Sequence, residues 1–229
     1  MIGIIAAMQK EMDNITARMG TYVKESAGGV DFIRGEIGGV ELVCSVCGIG
    51  KVFAAMCAEA MIIKYAPELI INTGVGGTLT RELSVGDVAI SDRVCQHDMD
   101  TTALGDEPGL ISGINQVYFD ADAAAADKIA AIAAEMGIKT YRGTIASGDR
   151  FVASAAEKER IISLFNGISC EMEGAAVGHV CFVNKVPFVV VRAISDDADG
   201  GACENYAEFA ASSAAKSADI VCRFAEMMR

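Results

Sequence analysis

Six apolar, β-branched runs that alternate with Ala- and Met-rich helical stretches predict an α/β fold. The expected architecture is a single domain over residues 1–229, with a mixed, mainly parallel central sheet flanked by helices. Two further observations support it. The strand-like runs are nearly continuous in Val and Ile rather than alternating, as in strands buried on both faces. No Pro-, Gly- or Ser-rich linker divides the 229 residues, and no internal repeat is visible.

The first strand is read from Ile2 to Ala6, with Met8 and Glu11 at the start of the helix-like segment behind it. A second runs from Val40 to Val46, followed by Gly48-Ile49-Gly50 and a helix from Lys51 to Tyr65. Glu68 to Asn72 forms the third, with Gly74-Val75-Gly76-Gly77 behind it, and Val85 to Ser91 the fourth, ending at Asp92. Cys95 to Phe119 lacks periodicity and holds Gly105, Pro108, Gly109 and Gly113. A loop of that length in a compact domain covers a site or meets another subunit. Further on come a helix from Asp120 to Met136, a strand from Tyr141 to Ala146 with Ser147-Gly148-Asp149 behind it, and a helix from Ala153 to Phe165. Glu171-Met172-Glu173 opens a helix from Gly174 to Asn184. Val186 to Ile194 is the last strand, and a helix from Glu204 to Met228 follows it.

Composition removes several function classes. A net charge of −12 with no basic stripe opposes nucleic-acid binding, which needs clustered Lys and Arg. Apolar runs are broken by Lys64, Glu68, Lys185 and Arg192 well short of the ~20 residues that span a bilayer. The N-terminus lacks a basic region before its short apolar stretch, so a cytoplasmic protein without membrane partners is expected. The eight cysteines then read as free thiols that fill core space. Cys44 and Cys47 form a C-x-x-C inside a strand, no second pair completes a ligand set, and His97 and His179 are the two histidines. No metal is expected. Gly74-Val75-Gly76-Gly77 matches neither the G-x-G-x-x-G of a dinucleotide site nor a P-loop, so no cofactor is expected.

Ligands of open α/β sheets bind at the carboxyl ends of the strands, and acids and glycines recur there. Asp196 ends the run Val189 to Ser195. Partial desolvation at a strand mouth raises a carboxyl pKa and suits proton donation, with Ser195 orienting the group. An ordinary cap of the following turn explains Asp196 equally well. Glu171 and Glu173, at i and i+2 in an extended segment, point different ways, so one can face a ligand while the other serves the structure. Both also fit the acid enrichment of a helix N-terminus, as does Glu11.

Taken together the motifs resemble the nucleoside phosphorylase/nucleosidase superfamily, and within it the bacterial 5′-methylthioadenosine/S-adenosylhomocysteine nucleosidases. They are Gly3 to Met8 with Glu11, Gly48-Ile49-Gly50-Lys51, Ile71 to Gly74 with Gly76-Gly77, Val85-Gly86-Asp87, Ser147-Gly148-Asp149 with Phe151, Glu171-Met172-Glu173, and Arg192 to Asp196. The resemblance implies a nucleoside phosphorylase-like fold and an adenine-releasing hydrolase. Asp196 would protonate adenine N7, and Glu11 would deprotonate the attacking water. Glu173 would bind the ribose hydroxyls over Met172, and Arg192 would hold that water or the nearby carboxylates. Phe151 would stack on the base while the Val152 backbone bonds its edge. Tyr206, after a site loop from Asp197 to Asn205, would line the 5′ pocket with Met8 and Ile49. A homodimer is implied, with the Asp100 to Leu104 loop reaching a neighbouring 5′ pocket.

Related phosphorylases place an Arg and a Ser where this chain has Asn72 and Val75. An aliphatic Val75 gives phosphate no side-chain hydrogen bond, so water is the favoured nucleophile. Val75 also departs from the nucleosidase pattern, as does Leu104, where relatives place an aromatic. Three alternatives stay open: a futalosine-type nucleosidase, a phosphate-dependent phosphorylase, and a non-catalytic nucleoside-binding protein.

Overall fold

The computed structural model describes residues 1–199 and 201–228. Gly200, inside the expected loop Asp197 to Asn205, lies outside the described residues, as does Arg229. In chain order the elements are β1 (Ile2–Ala6), α1 (Gln9–Thr16), β2 (Tyr22–Ala27), β3 (Val30–Ile37), β4 (Val40–Val46), α2 (Lys51–Tyr65) and β5 (Leu69–Thr78). Then come β6 (Val88–Gln96), β7 (Tyr118–Asp120), α3 (Ala123–Glu135), β8 (Thr140–Ser147) and α4 (Ala155–Phe165). The chain finishes with β9 (Gly167–Glu171), α5 (Gly174–Asn184), β10 (Phe188–Asp196) and α6 (Ala202–Met227).

All strands join one mixed sheet. β5 is its hinge, with β1 parallel on one side and β10 parallel on the other. From β10 the sheet continues through β6, β8 and β9, and β9 returns to the far end of β5. These five strands therefore close on themselves, β7 pairs antiparallel with β6, and the other four form an open arm from β1 through β4 and β3 to β2. Every residue of β1, β5 and β10 is buried, as continuous apolar runs require. One core packs α1, α3 and α6 against the sheet, and a second packs α2 and α5 against its other face.

Helix ends follow local chemistry. Asp122 and Ser154 cap α3 and α4 by accepting the Ala125 and Glu157 N–H groups. α2 stops at Ala66, which turns left-handed at φ 45° before Pro67.

Several boundaries differ from the sequence reading. The hairpin β2–β3 was not anticipated, because β2 is largely exposed and polar and carries no buried-strand signal. β5 runs on through Gly74 to Gly77, so these glycines lie within the strand instead of behind it. Asp92 sits inside β6 and pairs with Arg142, away from the cavity described below. The expected long loop is shorter, since β6 takes Cys95 and Gln96, and β7 takes Tyr118 and Phe119. Within it are a 3-10 turn at Thr102–Leu104 and a bridge between Ile111 and Gln116. α6 starts at Ala202, shortening the loop behind Asp196. Cys44 and Cys47 are free thiols, as are the other six cysteines. Among the described residues no helix is long and apolar enough to cross a membrane, and no group of three or more His, Cys, Asp or Glu side chains is placed to hold a metal.

Candidate active site

The strand ends converge on one cavity of about 280 Å³. Met8 and Glu11 enter from α1, Ile49 from the turn before α2, and Val75, Gly76 and Gly77 from β5. Phe151 and Val152 come from the segment after β8, Met172 and Glu173 from the start of α5, Ser195 and Asp196 from β10, and Tyr206 from α6. Of the residues expected to act on or bind a nucleoside in this chain's own site, Arg192 alone is not on the wall. It is 2% exposed and lies behind the acids.

Asp196 ends β10 at a register shift and is 2% exposed. Its Oδ2 accepts the Ser195 hydroxyl at 2.8 Å, and its Oδ1 accepts the Ala198 N–H at 2.9 Å. The capping geometry is thus present within the cavity wall, and the two readings of this residue do not compete. Burial raises the carboxyl pKa above the ordinary value, opposed by those two hydrogen bonds and assisted by the charges of Asp197 and Asp199.

Glu11 is also a helix-end residue in its local contacts. Its Oε2 accepts the N–H groups of Ala7 at 3.0 Å and Met8 at 2.9 Å, satisfying donors ahead of α1. Its Oε1 accepts the Val75 N–H at 3.2 Å, tying the side chain to β5. At 3% exposure, burial pushes its pKa up, while these N–H groups and the Arg192 charge favour the anion.

Glu171 and Glu173 divide as their i, i+2 spacing allows. Glu171 turns back into the protein, accepting the N–H groups of Glu173 at 3.1 Å and Gly174 at 2.8 Å, the Ser147 hydroxyl, and the Arg192 guanidinium. Glu173 accepts the Gly50 N–H at 2.8 Å and stands 4.0 Å from Arg192. Burial, then the neighbouring Glu171, raises the Glu173 pKa to about 7. Arg192 also donates to the backbone carbonyls of Asn72 and Val191, each at 3.0 Å, and to the Asn72 side chain. A buried guanidinium with this many partners serves the carboxylates and has little left for a ligand.

The glycines of β5 make room for the protein's own acids. A Cβ at Gly74 would lie 2.8 Å from Glu11 Oε1, and one at Gly77 would lie 2.6 Å from Asp196 Oδ1. At Gly76 a Cβ would meet Ser169 Oγ at 2.9 Å and the Cys170 carbonyl at 3.0 Å. The space a Cβ would take at Gly74 and Gly77 is thus held by Glu11 and Asp196, while Gly76 and Gly77 still form part of the cavity wall.

At the mouth, Phe151 is 42% exposed and meets Tyr206 edge to face, with ring centroids 5.5 Å apart. The Tyr206 hydroxyl donates to Met8 Sδ at 3.3 Å, and Lys10 Nζ stands 5.0 Å from the same ring. Sequence reasoning missed Cys170 and Arg150 on the wall, and the support given by Ser147, Gly50 and Ala198. The last two act through backbone N–H groups, which no residue type announces. Leu104 is 83% exposed and is not part of this chain's own cavity wall.

Residues 1–226 match the family model described as the Phosphorylase superfamily. The chain is 38% identical over 222 residues to the 5′-methylthioadenosine/S-adenosylhomocysteine nucleosidase of Staphylococcus aureus, covering 96% of this chain and 97% of the relative. It is similar in structure to the nucleosidase of that name from Neisseria meningitidis in complex with methylthio-immucillin-A, with TM-score 0.95, 34% identity and coverage of 99% and 98%. It is also similar to the futalosine hydrolase of Helicobacter pylori, with TM-score 0.94, 31% identity and coverage of 100% and 97%.

Proposed function

The chain belongs to the phosphorylase superfamily, as an N-glycosyl hydrolase of the nucleosidase kind, and from that premise we propose that it releases adenine from 5′-thio-substituted adenosines by attack of water. The observation that carries this reading is the placement of Asp196 and Glu11 beside the same strand, against Gly77 and Gly74. Those glycines are three residue steps apart on β5, roughly 10 Å at the rise of an extended chain. Two carboxyls that reach one cavity from separate points on its wall support acid on one side of a glycosidic bond and a water on the other, as in inverting glycoside hydrolysis.

In this mechanism Asp196, whose carboxyl pKa burial raises, donates a proton to adenine N7 and makes the base a neutral leaving group. Phe151 stacks on the base, and Val152 offers its backbone to the base edge. The glycosidic bond breaks with positive charge developing on the sugar. Glu173 holds the ribose hydroxyls above Met172, and its carboxylate sits near that charge. Glu11, its anion held by three N–H groups, takes a proton from the water that attacks the anomeric carbon. Arg192 stays behind the wall and compensates Glu171 and Glu173. Met8, Ile49 and Tyr206 receive the 5′ substituent.

Water is favoured over phosphate by charge. Four acids, Glu11, Glu171, Glu173 and Asp196, line the cavity beside the largely exposed Arg150, Val75 is apolar, and the buried Arg192 is committed to its partners. The test is adenine release from methylthioadenosine in phosphate-free buffer. Turnover is expected without phosphate, and strict phosphate dependence would overturn the reading. Likeness to the futalosine hydrolase supports one second reading, with the same acid and base but a different 5′ group. Competition between methylthioadenosine and futalosine in one assay separates the two.

A homodimer belongs to the same proposal. α2 exposes Val52 (70%), Phe53 (56%) and Met56 (46%), and Val183 of α5 is 56% exposed. Such a patch suits a second copy of the chain. Sedimentation at micromolar concentration is expected to give twice the chain mass, and a monomer would refute it.

A further inference from the structure

Outside the cavity wall, Lys51, Asp98 and Asp149 form a closed ring of contacts. Lys51 N–H donates to Asp149 Oδ1 at 2.8 Å, and Asp149 N–H donates to Asp98 Oδ2 at 2.8 Å. The ring closes where Lys51 Nζ meets Asp98 Oδ1 at 2.6 Å. Each member belongs to a different part of the fold. Lys51 opens α2, Asp98 follows β6, and Asp149 lies in the segment between β8 and α4.

The neighbours of the ring give it meaning. Gly50, next to Lys51, donates its N–H to Glu173. It has φ 99°, and a Cβ there would lie 3.1 Å from Asp149 Oδ1, so the turn is fitted against that carboxylate. Two and three residues beyond Asp149 stand Phe151 and Val152. Gly148, just before it, rests on the neighbouring loop: a Cβ there would lie 2.4 Å from His97 Nε2 and 3.1 Å from Asp98 Cγ. The same stretch is held at its base by the His97 N–H on the Ser147 carbonyl and the Gly148 N–H on the Glu171 carbonyl.

The geometry points to Asp98 as a positioning residue that couples the base end of the cavity to its sugar end. It does so by locking the Phe151–Val152 segment to the Gly50 turn that holds Glu173. This rests on the nucleoside reading above and adds a coupling between its two subsites. Charge assistance favours the lock: the Lys51 ammonium and the Asp149 N–H hold the Asp98 carboxyl below its usual range against the opposing effect of burial. Ordering one segment orders the other, so a ligand in either subsite prepares its neighbour.

Calorimetry on the full chain tests the coupling with two probes, free adenine and a 5′-methylthio iminoribitol as sugar mimic. In the unaltered protein, saturating adenine is expected to tighten the sugar mimic about fivefold or more, the lower end of ordinary site-to-site coupling. Asp98→Asn, nearly isosteric, replaces one accepting oxygen with a donor and is expected to bring that factor to within about twofold of unity. Lys51→Met opens the same ring from its other side, with the same expected result, should the first variant fold poorly. A coupling factor unchanged in both variants, with affinities for both probes lowered uniformly, would overturn the proposal and leave Asp98 as packing alone. A factor of one in the unaltered protein would overturn it too. Failure of that protein to bind adenine at all would sink the nucleoside reading, and this inference with it.

Discussion

At one corner of the cavity Asp196 is buried with a hydroxyl, one N–H group and two negative neighbours. At the other, Glu11, Glu171 and Glu173 share seven backbone N–H or hydroxyl contacts and the guanidinium of Arg192. Both corners desolvate carboxyl groups, which favours the protonated form. Only the second supplies a positive charge. The same residue class, at similar exposure, thus meets neutral donors and other acids in one place and a guanidinium in the other, and the difference lies in the partners.

Removing the acid breaks the comparison most directly. Asp196→Asn keeps the shape and loses the transferable proton, so kcat is expected to fall by about 10²–10⁴-fold with Tm nearly unchanged. Near-normal turnover in a product assay would refute the assignment. Removing the cation tests the other corner. Arg192→Met leaves Glu171 buried without its partner, and urea unfolding is expected to show a loss of about 3–5 kcal/mol. Adding Glu171→Gln to it should restore part of that loss; an additive or worse double variant would deny that the pair is the cause.

A smaller effect compares the corners through β5. Gly77→Ala sets a methyl against Asp196, and Gly74→Ala sets one against Glu11. Displacing either reacting group by about 1 Å is expected to lower kcat on the order of 10²-fold. Acid displacement at Gly77 should also move the alkaline limb of the pH–rate profile, and displacement at Gly74 the acidic limb. Identical profiles for the two variants would show that the corners do not have separate roles.

The gentlest test is stability against pH. Glu173 holds its proton more tightly folded than unfolded, with a pKa raised from 4.5 to about 7. Its contribution to stability is therefore present below 4.5 and is lost as pH rises to about 7. Thermal unfolding of the ligand-free protein should show that decline, and Glu173→Gln should flatten it. A parallel decline in the variant would place the titration elsewhere.

Much of this was legible in the residues. The limits of β1, β4, α2 and α5 fall where apolar continuity and Ala-rich periodicity set them. Nearly every residue singled out for the cavity does line it. What escaped the sequence was the hairpin β2–β3, whose strands are stabilised by pairing at the sheet edge and not by continuous burial. The extension of β5 through three glycines escaped it too, since glycine is disfavoured in strands unless a neighbour needs the space.

The sequence by itself determined the α/β class and the strand-end acids, because burial of continuous apolar runs and the chemistry of carboxyl groups are local properties, and its linked motifs carried the resemblance to the family. Tertiary structure alone decided which carboxyl meets a cation, that Arg192 stands behind the wall, and that Gly74 and Gly77 shelter Glu11 and Asp196. A carboxyl pKa and the fit of an absent Cβ depend on groups brought together from distant parts of the chain.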